Sequence, residues 1–137
     1  MEPHFELRDK SFEQQFADRS LNPAIFSHEA HIRLAWIHIK KYGIEQAVEN
    51  ICGQLLAFVD HVGARDKYNK TLTVAAVRAV NHFIGKTDAD NFADFILACP
   101  RLKTHFKELM AAHYAIDIYH SEKAKQEYLE PDLLAFT

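Results

Sequence analysis

Cysteine is nearly missing from this chain: Cys52 and Cys99 are the only two among 137 residues. Two thiols without a CxxC spacing exclude a disulfide framework and point to a reducing, cytoplasmic setting. Each lies among helix formers and apolar residues, as an ordinary buried thiol does. No charge of one sign dominates either. The 16 basic and 19 acidic residues are interspersed and leave a formal net charge of -3. The basic face of a duplex nucleic-acid binder is therefore missing, and nucleic acid is not an expected partner. No apolar run approaches the roughly 20 residues that cross a bilayer, so a membrane is not expected as a partner. The opening Met1-Glu2-Pro3-His4-Phe5-Glu6 has no basic start followed by an apolar stretch and is not a signal peptide. A GxSxG nucleophile turn, a phosphate loop, a dinucleotide fingerprint and an HExxH zinc motif are all lacking.

Glycine and proline are scarce, four of each, and they fall where helices would stop. Strand alternation is missing from every long window, so helical periodicity decides the class. The hydrophobic fraction of 48%, with 10 Phe, 5 Tyr and 1 Trp, is ample for one core. A chain of this size buries roughly two-thirds of its unfolded surface. The pattern predicts an all-α protein: a single helical domain spanning 1–137, built as a compact bundle of about four main helices with short terminal ones.

A capping box at Ser11 and Gln14 predicts a short helix from Ser11 to Arg19, ended by Asn22-Pro23. Ser27 is a good N-cap for a long helix from His28 that stops at Gly43. A second long helix follows from Ile44 to Val62, closed by Gly63; so short a link makes the two antiparallel. Gly53 within it suggests a close helix crossing. Thr71 or Thr73 caps a third helix through Ile84. A fourth runs from Ala89 to Ala98, a fifth from Lys103 to Ile118, and Ser121 caps a short sixth that Pro131 ends.

Nine histidines stand out, because imidazole is both a metal ligand and a proton carrier near neutral pH. On a helical wheel from 28 to 42, His28 falls near the centre of the apolar face with Ile32, Ala35, Trp36 and Ile39. His31, His38 and Tyr42 share a flank, and Arg33, Lys40 and Lys41 lie opposite. His28 and His31 are one turn apart and can reach one metal ion together. They supply two of the three or four ligands that zinc or iron needs. Gln54 and His61 on the next helix are further candidate donors. His4, His82, His105 and His120 read as solvated surface residues. The stretch Tyr68-Asn69-Lys70-Thr71-Leu72-Thr73 carries hydroxyl and amide groups ahead of a helix, where they serve as caps or hold a polar ligand. Glu130-Pro131-Asp132-Leu133 reads as a helix stop with a hydrophobic anchor.

The block Leu21-x-Pro23-x-x-Phe26-x-His28-x-x-His31-x-Arg33-Leu34-Ala35-Trp36 resembles the signature of a family of small bacterial all-helical proteins of unassigned activity. The resemblance extends over nearly the whole chain: Tyr68, Thr71 and Thr73 match a Tyr-His-x-Thr-x-Thr element, and Pro131-Asp132-Leu133 match a closing Pro-Asp-Leu. Asn69 departs from that pattern, standing where the family has histidine, and an amide cannot serve as an imidazole base or ligand. The resemblance implies a fold and a site location, with no reaction attached.

The leading expectation is a ligand- or metal-binding pocket in which His28 and His31 face the Tyr68–Thr73 loop. His28 and His31 would be ligands for a divalent transition metal or proton acceptors. Tyr68, Asn69, Thr71 and Thr73 would supply hydrogen bonds to a small molecule, with Trp36 as a wall. Two alternatives stand beside it. One is a small enzyme with a histidine general base. The other is a non-catalytic interaction module, self-associating as a homodimer, whose histidines only complete the core.

Overall fold

In a computed structural model, described over residues 1–136, eight α-helices form and no strand is present among the described residues. They are α1 (Asp9–Ala17), α2 (His28–Tyr42), α3 (Ile44–His61), α4 (Lys70–Ile84), α5 (Phe92–Ala98), α6 (Arg101–Thr104), α7 (Phe106–His113) and α8 (Glu122–Gln126). Single 3-10 turns at Pro3–Glu6, Pro23–Ile25 and Arg65–Lys67 link them. The chain is all-α, and no helix among the described residues is long and apolar enough to cross a membrane. It divides into two compact units, Met1–Tyr68 and Asn69–Thr137.

The first unit is organised by the hairpin of α2 and α3, the most extensively packed pair in the chain. Ser27 caps α2 as its sequence predicts, its hydroxyl accepting from the Ala30 amide. Gly43 ends α2 and starts α3 in one residue: its amide bonds to Ile39 O and its carbonyl accepts from Ala47 N. It does so at φ +84°, ψ 166°, a conformation that only glycine adopts without steric cost. Gly53 faces solvent with nothing within 4 Å of where a Cβ would stand, so it marks no close crossing. The α1 helix starts two residues before Ser11, which leaves that residue exposed inside the helix, and the capping box is not used. Its first turn is set instead by Arg33, which binds Leu7 O and the Asp9 carboxylate. Phe12 and Phe16 of α1 are fully buried against the hairpin.

In the second unit, α4 is capped by Asn69 and not by either threonine. The α5 helix starts at Phe92, capped by Asn91, three residues later than the sequence suggests. The long fifth helix does not form. It is split at His105, which leaves helical geometry (φ -133°, ψ 37°), and it stops at His113. Residues 114–120 are irregular because their backbone groups are claimed from elsewhere. Ala115 N donates to Asp132 Oδ1, and Ile118 O accepts from Asn69 Nδ2. The tail is held in the same way, with Leu133 N on His113 O and the Phe136 ring stacked on His113 at 4.0 Å. Leu133 and Leu134 are exposed, so the hydrophobic anchor of the tail is Phe136.

Candidate functional site

The first turn of α2, behind the Ser27 cap, carries His28, Glu29, Ala30 and His31; the flank position of His31 on the wheel agrees with its half-buried ring, and the central apolar position of His28 does not hold. His28 is exposed, while Glu29, the residue after it, is 5% exposed. Arg33, expected opposite the core, is 4% exposed. The reason is that the Pro3–Glu6 turn covers the Glu29 and Arg33 side of α2. From Glu29 to Ile39 every residue except His31 is buried. An apolar face drawn from Ile32, Ala35, Trp36 and Ile39 alone does not anticipate a polar cover on the other side.

His31 is half-buried. Its ring stacks on Phe26 with centroids 4.0 Å apart, and Phe26 rests on Phe16 and Phe58 at 4.8 and 5.3 Å. Burial on this aromatic shelf, and secondarily the neighbouring His28, pushes its pKa down to about 4. The imidazole is neutral at pH 7, and its ring nitrogens have no hydrogen-bond partner among the described residues. His38 is 1% exposed, with Nδ1 3.4 Å from Asn50 Nδ2 and a buried Nε2 that lacks a partner among the described residues. Burial lowers its pKa against the opposing pull of Glu13. Trp36 is buried in the core of the first unit. His61 is exposed, and Gln54 is half-buried with an unpartnered side-chain oxygen.

The Tyr68–Thr73 stretch falls across the boundary between the two units. Tyr68 closes the first; burial, then its contact with the Cys52 thiol, raises its pKa above the usual phenol value. Asn69, Thr71 and Thr73 open the second, and their polar groups serve its backbone. Asn69 Oδ1 accepts from Leu72 N at 2.9 Å while its amide donates to Ile118 O at 2.7 Å. Thr73 Oγ1 donates to Asn69 O at 2.8 Å. Thr71, with no exposed surface, donates to Glu127 O at 2.7 Å and accepts from Leu129 N at 3.0 Å. Thr71→Val is isosteric and leaves both backbone groups without their partner, so it should cost about 2–3 kcal/mol in urea denaturation. A hydroxyl kept only for a ligand would give almost no change.

A second polar cluster has no local sequence signal, because its members are 25 residues apart. His4, expected in solvent, has no exposed surface. Its Nε2 lies 2.7 Å from Glu29 Oε1 and 3.8 Å from Glu2 Oε1, and Ser27 Oγ donates to Glu2 Oε1. Arg33 Nη1 donates to His4 O at 2.6 Å and approaches His4 Nδ1 at 3.4 Å. Its guanidinium also reaches Leu7 O at 2.7 Å and Asp9 Oδ1 at 2.9 Å, and lies over Phe12 at 4.7 Å. The Pro3–Glu6 turn covers the helix because these groups must be satisfied once water is excluded.

No family model matches this chain, and searches of curated proteins and of solved structures return no match.

Proposed function

We propose that this is a small helical binding protein that takes a divalent transition-metal ion at His28 and His31, leaving coordination positions for water or a small-molecule ligand. The observation that carries the reading is His31: a half-buried imidazole held on Phe26, with no hydrogen bond to its ring nitrogens, one helical turn from an accessible second imidazole. Imidazole suits zinc, nickel and copper, and it binds only when deprotonated. His31 meets that condition at neutral pH without displacing a proton. The block from Phe26 to Trp36, which carries the family resemblance, centres on the same two residues. The reading uses neither Trp36, which is buried, nor Asn69, Thr71 and Thr73, whose groups hold backbone.

Tag-free protein titrated with Zn2+ by calorimetry should bind about one ion per chain. His31→Ala and His28→Ala should each weaken binding at least about tenfold, roughly the loss of one ligand at 1.4 kcal/mol per decade. The metal-free variants should keep a helical circular dichroism spectrum. A stoichiometry far below one, or unchanged affinity in both variants, would overturn the proposal.

A further inference from the structure

We infer that Glu2, His4 and Glu29 form a second, enclosed site for a divalent cation of the manganese class. Their ligand atoms all lie within 4.8 Å of one another. Ligands about 2.1 Å from a shared ion stand roughly 3–3.5 Å apart, and the separations of His4 Nε2 from Glu29 and Glu2, 2.7 and 3.8 Å, bracket that value.

Two features support a cation here. The first is enclosure: His4 and Glu29 are 0% and 5% exposed, and Glu2 is half-buried. The second is donor chemistry, since an oxygen-rich set with one imidazole suits manganese and not a soft ion. An ion at Nε2 replaces the proton there. From neutral His4 the ring proton moves to Nδ1, and Arg33 Nη1, 3.4 Å from that atom, keeps His4 O at 2.6 Å as its acceptor; from the imidazolium one proton leaves to water.

Mn2+ titrated into tag-free protein, followed by calorimetry and by loss of the free-ion electron paramagnetic resonance signal, should show one ion per chain and a raised melting temperature. Glu2→Gln removes a half-buried charge at little cost to the fold, and it should weaken Mn2+ binding at least tenfold while leaving the metal-free melting temperature almost unchanged. The double variant His28→Ala/His31→Ala should retain Mn2+ binding, which separates this site from the imidazole pair. Absence of Mn2+ binding to the wild-type chain, or unaltered affinity in Glu2→Gln, would overturn the inference and leave a buried ion pair that only fastens the N-terminal turn. Loss of Mn2+ binding in the double variant would overturn it equally, placing the ion on the imidazoles.

Discussion

Arg33→Ala should lower stability by about 3–5 kcal/mol, the range found when one member of a buried charged network is removed. At roughly 3 °C per kcal/mol for a chain of this size, that is a fall of about 10–15 °C in melting temperature. One guanidinium binds His4 O, Leu7 O and Asp9, and its face lies on Phe12 and Phe5. Truncation strips two carbonyl oxygens of their donor and removes the apolar contact of the side-chain stem. Arg33→Lys keeps the charge without the planar fork, so it should recover less than half of the loss. Thermal melts followed by circular dichroism read both effects. A drop under about 3 °C in the alanine variant would mean that this network does not hold the first unit together. Glu29→Gln provides the contrast: its amide oxygen can still accept from His4 Nε2, so it should cost far less than Glu29→Ala, which leaves a buried imidazole facing a void.

Acid should destabilise the fold before most carboxylates titrate. His31 has its pKa pushed from 6.5 to about 4 in the folded chain. Well above pH 6.5 it is neutral in both states and contributes no pH dependence. As pH falls through 6.5, the unfolded chain gains a proton that the native state refuses, so stability declines until about pH 4. At 1.36 kcal/mol per unit, and allowing for the partly exposed ring, the loss is about 2–3 kcal/mol. His38, lowered by burial, adds in the same direction. His31→Phe keeps the stack on Phe26 and should flatten the profile between pH 6.5 and 4.5. Urea denaturation at a series of pH values measures this. An identical slope in wild type and variant would show that His31 titrates normally in the folded chain.

Much of the fold was legible because its cues are local. Ser27 and Gly43 bound α2 by a hydroxyl reaching Ala30 N and by a positive φ, both encoded within a few residues. Ile51, Leu55 and Phe58 recur at helical spacing and, with Ala47, form the buried face of α3. The errors lie where a distant residue competes for the same group. Ser11 and Gln14 fit a capping box, yet Arg33 draws the helix start back to Asp9. Lys103 to Ile118 has helical periodicity, yet Asp132 and Asn69 take its backbone groups and break it. Asn69 was read as a place where a ligand histidine is lost; it is the cap of α4 and a brace for Ile118.

The same division applies to the candidate sites. The spacing of His28 and His31 on one helix, the small net charge of -3, the want of a disulfide framework and the all-helical class are properties of the chain as written, since each depends on composition or on residues within one turn. Which histidine is buried is not. His4 lies in the interior and His28 in solvent because a short turn at the start of the chain folds across one side of α2, and Arg33 and Glu29 draw it there. A buried charge is tolerable only beside its partner, and that partner is 25 residues away in sequence, so tertiary structure alone decides where the polar cluster forms.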